Sequence, residues 1–283
     1  MTLLRLTACL TAALLCLFAL PTTAQDLRVM TYNIRFDNPQ DGIHAWPNRQ
    51  ERVASTIRFH DVDVAGLQEA LRHQIDTLAA RLPGYAWLGV GRDDGRDGGE
   101  FSPIFYRKDR LTPVRHGTFW LAPTPGVPGS KGWDAALPRI ATWAVFEDRS
   151  TGWRFLFMNT HFDHLGTTAR TESARLITRR LAELAGALPV ILTGDFNFTP
   201  EAPGYALLTE TLADARIRTE TPPHGPEGTF TGFTGEVRPA RRIDHVFTGP
   251  GLRVLRYGVL AECVDGRFAS DHLPVLVILR RPD

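Results

Sequence analysis

Pro189-Val190-Ile191-Leu192-Thr193-Gly194-Asp195-Phe196-Asn197 is the stretch from which the fold can be read. Val190 to Thr193 is a short aliphatic and β-branched run closed by a glycine, the pattern of a buried strand. Such a strand aims the carboxylate of Asp195 rigidly out of the sheet end. Strand alternation predicts Phe196 on the opposite side, anchored in the core, and Asn197 back on the side of Asp195.

The same device recurs along the chain. Leu27–Asn33 runs apolar into Thr31-Tyr32-Asn33, and Val64–Gln68 runs into Glu69. Residues 155–160 deliver His161, with Asp163 and His164 just after, while Arg242-Ile243 leads to Asp244-His245 and Ser270 to Asp271-His272. Strand-like runs also lie at 104–106, 141–146, 243–247 and 273–279. Helical spacing joins Val53, Ala54 and Ile57 within 48–60, and Leu176, Ile177, Leu181 and Leu184 within 168–185. A strand–helix–strand order followed by consecutive strands predicts two packed sheets with helices outside, not a purely parallel sheet. Gly/Pro-rich loops at 37–48, 92–99, 123–138 and 222–242 are candidates for function, because long loops in compact domains usually have one.

Composition sets the class. The 283 residues are 43% hydrophobic and 22% charged, with 25 Gly and 20 Pro, which excludes a disordered, collagen-like or disulfide-scaffold chain. A formal charge of +1 argues against a basic nucleic-acid coat. Only Lys108 and Lys131 are lysines, so arginines occur everywhere and a single one carries little weight. Arg5, the apolar run from Leu6 to Leu20 and the small residues up to Ala24 have the pattern of a signal peptide cleaved after residue 24. The remaining 259 residues then balance 31 basic against 31 acidic groups. Cys9 and Cys16 leave with the signal, so Cys263 stands alone and no internal disulfide forms. No later apolar stretch is long enough for a membrane span. A secreted or periplasmic monomer is expected, of one large domain or two.

Any one of these strand ends means little, since Asp and Asn commonly close strands as turn formers. Jointly they place carboxylates, amides and imidazoles together where the loops of a sheet protein converge. The hard oxygens of Glu69, Asp271 and Asn33 favour Mg²⁺ or Mn²⁺ over zinc. No HExxH or cysteine cluster supports zinc, and neither GxSxG nor GxxxxGKS is present. A hard metal, an aspartate to orient water and a histidine to manage charge describe hydrolysis of a phosphate ester.

Thr31-Tyr32-Asn33, Leu67-Gln68-Glu69, Asn159-Thr160-His161, Gly194-Asp195-Phe196-Asn197, Ile243-Asp244-His245 and Ser270-Asp271-His272 carry a resemblance in the right order. Together they resemble the endonuclease/exonuclease/phosphatase superfamily of Mg-dependent, deoxyribonuclease-like phosphoesterases. The resemblance implies one domain over 25–283 and an α/β fold: a four-layer sandwich, two mixed β-sheets face to face with helices outside. It implies Glu69 as principal metal ligand, with Asn33 and Asp271 completing the site. Asp195 is implied to orient or deprotonate the attacking water, and Asn197 to hold a non-bridging phosphate oxygen. The resemblance also implies that His272 stabilises developing charge with Asp244 fixing its tautomer, that His161 occupies the second-histidine position, and that Arg139 sits where some members bind phosphate.

One departure from the family pattern is Arg35, where some members carry an acid; this opens the question of one metal or two. Trp46 and Trp133 are read equally as substrate-facing or as caps on the core. A nuclease would need a basic strip or stacking loops. Arg238, Arg241 and Arg242 cluster before Asp244, yet the mature charge is zero. The expectation is therefore a secreted metal-dependent phosphoesterase acting on a small or lipid-derived phosphate mono- or diester. A secreted nuclease is the alternative, and an inactive binding module a third.

Overall fold

The computed structural model describes residues 26–234, 236 and 241–281. The expected signal peptide, with Cys9 and Cys16, lies outside them, as does Arg238. In chain order the elements are β1 (Leu27–Asn33), α1 (Gln50–Phe59), β2 (Val64–Gln68), α2 (Arg72–Arg81), β3 (Tyr85–Leu88), β4 (Ile104–Arg107), β5 (Leu111–Trp120) and β6 (Ile140–Asp148). They continue as β7 (Arg154–His161), α3 (Thr167–Ala185), β8 (Val190–Asp195), α4 (Pro203–Thr209), β9 (Ala213–Asp214) and α5 (Ala215–Arg218). Then come β10 (Asp244–Thr248), β11 (Arg253–Val259), β12 (Cys263–Val264), β13 (Arg267–Phe268) and β14 (Val275–Arg280).

Two six-stranded mixed sheets result, ordered β11-β14-β1-β2-β4-β3 and β5-β6-β7-β8-β10-β9, beside a small β12–β13 hairpin. Each sheet has one parallel pair near its middle, β1–β2 and β7–β8, and each pair needs a crossover. Helices α1 and α3 supply those crossovers. Between the sheets lie Val29, Val64, Ile104, Phe146, Phe157, Ile191, Val246 and Val277, all buried. Outside the second sheet, Met158 and Leu192 pack against Ile177 and Leu181 of α3. Outside the first, Met30, Ala65 and Leu67 pack against Val53 and Ile57 of α1 and Leu78 of α2. Three apolar layers between four layers of structure make the expected α/β sandwich. Among the described residues, no helix is long and apolar enough to cross a membrane.

This topology creates one working edge. Parallel strands β1, β2, β7 and β8 bring their C-terminal ends to it, and antiparallel β10 and β14 bring their N-terminal starts. The register places His161 beside Asp195 across β7–β8 and Asp244 beside Asp195 across β8–β10. The two sheets are tied by a buried polar bridge beneath that edge. Asn159 on β7 donates through Nδ2 to the carbonyls of Leu67 and Pro103 at 2.7 and 3.1 Å. Its Oδ1 accepts from Gln68 Nε2 at 2.7 Å and Thr193 Oγ1 at 3.2 Å. Residue 66 must be glycine for the sheets to come this close, because a Cβ there would overlap Asn159 Oδ1.

Several elements escape the sequence reading for physical reasons. α2 buries only Gln74, Ile75 and Leu78, so its apolar face is too sparse to show as a period. β5 is an edge strand broken by Pro113 and Gly117 and carries exposed positions in a row. β11 has a register shift between Val254 and Arg256 that interrupts alternation.

Candidate active site

A cleft of about 600 Å³ opens at this edge, and Glu69, Asp195, Asn197, Asp271, His161, His272 and Arg139 all line it. Its backbone is unusual. Arg35, Glu69 and Asn197 have φ of 57°, 62° and 49°, left-handed values that cost non-glycine residues about 1–3 kcal/mol each. Such strain persists only where the surroundings fix it. Asn197 reaches the cleft by this route rather than by strand alternation. β8 ends at Asp195, whose Oδ1 accepts from the Asn197 N–H at 2.9 Å in a tight side-chain turn. Phe196 is fully buried against Phe162 and Phe247.

Asp195 is the hub. Its Oδ2 accepts from Asn33 Nδ2 at 3.0 Å and lies 3.4 Å from His161 Nε2 and 3.7 Å from His272 Nε2. Burial, with the Asp244 carboxylate next, pushes its carboxyl up to about 7. Asp244 Oδ2 in turn accepts from His272 Nδ1 at 2.9 Å. Its charge, followed by that of Asp195, overcomes burial and holds the His272 imidazole well above its ordinary range.

His161 is held the opposite way. Arg139 can only donate, so its 3.0 Å bond to Nδ1 makes that nitrogen the acceptor and leaves the ring proton on Nε2, facing Asp195. Burial first, then the Arg139 charge, hold His161 well below the ordinary histidine range. One cleft therefore contains a cationic and a neutral imidazole around one carboxylate, the divergence that separates acid from base roles. Asn197 Nδ2 donates to the Phe162 carbonyl at 3.0 Å and stands 3.1 Å from His161 Nε2.

On the first sheet, Glu69 Oε1 accepts from Asn33 Nδ2 at 2.9 Å and Oε2 from the Phe36 N–H at 3.2 Å. Asn33 thus turns its amide nitrogen, not its oxygen, toward both carboxylates; Oδ1 accepts from the Arg35 N–H at 3.0 Å. Arg35, paired with Asp41, reaches within 3.9 Å of Glu69 and 4.0 Å of Asp271. Among the described residues, three donor atoms suited to a metal, one each from Glu69, Asp195 and His272, all lie within 4.8 Å of one another. Ser270 Oγ donates to the Asn33 carbonyl at 2.7 Å and so fixes the turn before β14 against the end of β1.

Arg139 is buried, and its NH1 and NH2 donate to His161 and His164 at 3.0 and 2.9 Å. It orients imidazoles in addition to lining the cleft, a task the family pattern does not suggest. Trp46 is a core residue stacked beneath Arg49, whereas Trp133 is over a third exposed and does not line the cleft. The structure adds Glu100, His164, Phe230 and Arg241 to the cleft. Glu100 directly follows the Gly-rich loop 92–99, where no spacing singles it out, and Arg241 belongs to the arginine cluster before Asp244. Asp163 is a loop anchor: its carboxylate accepts four backbone N–H groups, from Ala136, Leu137, Leu165 and Gly166.

Three relatives are informative. A mannosyl-6-phosphatase from Bacteroides thetaiotaomicron is 42% identical, with a TM-score of 0.86 over 90% of this chain and 99% of that one. A second protein of that organism, described as an endonuclease/exonuclease/phosphatase family protein, is 43% identical, with a TM-score of 0.86 over 90% and 97% of the two chains. Nocturnin from Drosophila melanogaster is 24% identical over 210 residues, 66% of this chain and 31% of that protein. The chain thus spans about a third of the length of this curated relative. The model of the endonuclease/exonuclease/phosphatase family matches residues 30–272, from within β1 to His272. The chain belongs to that family.

Proposed function

We propose that this protein is a phosphoester hydrolase dependent on Mg²⁺ or Mn²⁺, made with a signal peptide over 1–24 and exported, and that its substrate is a small phosphoester, a phosphorylated sugar in particular. The observation that carries the reading is Asp195, a carboxylate raised toward neutrality and flanked by one cationic and one neutral imidazole. The 42% identical mannosyl-6-phosphatase supports the sugar-phosphate class.

The residues fit a divalent cation. Glu69, Glu100, Asp195 and Asp271 line one cleft, and burial raises the last three, with a neighbouring carboxylate adding to each, so a cation among them would be stabilising. Glu69 would hold the ion, with Asp195 within reach and Asn33 and Asp271 beside it, while the cationic His272 has no ring lone pair to give it. When bound, it supplies Lewis-acid polarisation of the phosphoryl oxygens. Arg35 supplies fixed positive charge between Glu69 and Asp271, which favours one ion over two.

Asp195 accepts the proton of the attacking water. His272, charged by Asp244, faces the oxygen on which negative charge develops, and the His161 Nε2–H with Asn197 donates to a non-bridging oxygen. A specific observation favours the nuclease reading: Arg241 lies over the Phe230 ring at 5.1 Å at the cleft wall, a pair that suits a base and its phosphate. Phosphate release from sugar phosphates, inositol phosphates, sphingomyelin, DNA and RNA, with Mg²⁺, Mn²⁺ or EDTA, tests both. Turnover of a sugar phosphate that EDTA abolishes is expected. Undiminished activity in EDTA would end the metal assignment, and turnover of nucleic acid alone would favour the second reading.

A further inference from the structure

Glu100 lies outside every motif that brings the catalytic groups together. It ends the excursion between β3 and β4, which is closed by bridges from Phe101 to Gly91 and Ala70. The backbone is fixed further where the Arg92 N–H donates to the Glu100 carbonyl at 3.1 Å and Trp120 Nε1 donates to the Arg92 carbonyl at 2.6 Å. Within that frame, Arg92 NH1 donates to Glu100 Oε2 at 2.7 Å. Oε1 accepts no hydrogen bond from the described residues, and the side chain lines the cleft. Glu100 Oε2 lies 3.9 Å from His161 Nδ1, whereas Asp195 lies on the Nε2 edge of the same ring. Two carboxylates therefore flank one imidazole, and only Asp195 has a part in the water activation proposed above.

A carboxylate held by Arg92, one ring away from the phosphoryl position, is a poor neighbour for a second phosphate. Like charges this close repel, so a nucleic-acid strand with a phosphate on either side of the scissile one is disfavoured at this wall. The same oxygen is a strong acceptor for an uncharged O–H group. We infer that Glu100, held by Arg92, is a specificity-determining residue that accepts a hydroxyl of the leaving alcohol and so selects a polyhydroxylated phosphomonoester, a pyranose phosphate, over aryl phosphates and polyanions. The inference rests on the hydrolase reading and adds the residue that chooses among its substrates.

The test is kinetic, on the full chain with Mg²⁺ present. kcat/KM is measured for mannose 6-phosphate and for p-nitrophenyl phosphate, which lacks hydroxyls, in the wild type, Glu100→Ala and Glu100→Gln. A hydrogen bond to a charged group predicts that the ratio of the two kcat/KM values falls about 10- to 100-fold in Glu100→Ala. The fall should come mainly through KM for the sugar phosphate. The fall should be smaller in Glu100→Gln, whose amide oxygen still accepts and which tests the proposal even if the alanine variant does not fold. A ratio unchanged in both variants overturns the proposal, as does a wild type that prefers the aryl phosphate. A wild type inactive on both esters and on nucleic acid removes the hydrolase reading itself, and this proposal with it.

Discussion

Replacing Asn159 with leucine tests whether the two halves of the site are registered by one side chain. Asn159 is fully buried on β7, and its four hydrogen bonds reach Leu67, Pro103, Gln68 and Thr193. Leucine is close in size, so loss of polarity dominates over cavity formation. At about 1 kcal/mol net for each bond, the cost is about 4 kcal/mol. Some partners keep a second bond: the Pro103 carbonyl retains the Leu67 N–H at 3.0 Å, and Thr193 Oγ1 retains the Met158 carbonyl at 3.3 Å. Gln68 Nε2 likewise keeps Thr31 Oγ1 at 3.0 Å and the Gly66 carbonyl at 3.1 Å, so the floor is about 1 kcal/mol, for the bond to the Leu67 carbonyl. Against a total stability of about 5–15 kcal/mol, the variant should still fold.

The more telling effect is on turnover. Asn33 and Glu69 sit on one sheet, and His161, Asp195 and Asp244 sit on the other. A shift of about 1 Å between groups that act together can cost about 10²-fold in rate, so a fall of at least about tenfold in kcat is expected at temperatures where the variant is fully folded. Urea unfolding gives the first quantity, and steady-state hydrolysis with Mg²⁺ gives the second. A variant as stable as the wild type refutes the energetics. A destabilised variant with unchanged kcat refutes the claim that Asn159 sets the register of the site.

Three further outcomes are expected. Asp195→Asn should fold and lose about 10²–10⁴ in turnover, the scale of a lost general base. Since its carboxyl is raised from 3.8 to about 7, the metal-free wild type should lose stability as pH rises through that window, and Asp195→Asn should lose less; parallel stability curves would contradict this. Asp244→Asn and His272→Ala should each reduce kcat/KM by similar factors, with little further loss in the double variant; additive losses would show that the 2.9 Å pair does not act as a unit. Asp163 is lowered from 3.8 to about 2 by its four backbone N–H bonds, so its ionised form contributes about 2 kcal/mol above pH 4, lost as pH falls through about 2. The stability gap between the wild type and Asp163→Asn should therefore close on acidification, and a gap constant from pH 7 to 2 would reject the assignment.

Much of the framework is legible in the sequence because it is local. β1 and β2 coincide with their apolar runs, and the runs within β7 and β8 stop at the polar residues they deliver, since a buried strand and its boundary residue are encoded within a few positions. Which residue types gather at the strand ends is readable for the same reason. The relations that make those types a site are not local. The neutral tautomer of His161 depends on Arg139, 22 residues earlier, and the charge on His272 depends on Asp244, 28 residues earlier. Asn197 enters the cleft through a left-handed backbone position rather than along a strand, which alternation does not reveal. Glu100 reaches His161 only because the excursion between β3 and β4 is pinned to Ala70 after β2 and to Trp120 on β5 of the second sheet. Sequence determines which groups each strand delivers; protonation and partnership follow from burial and from charges that only the packing of two sheets brings together.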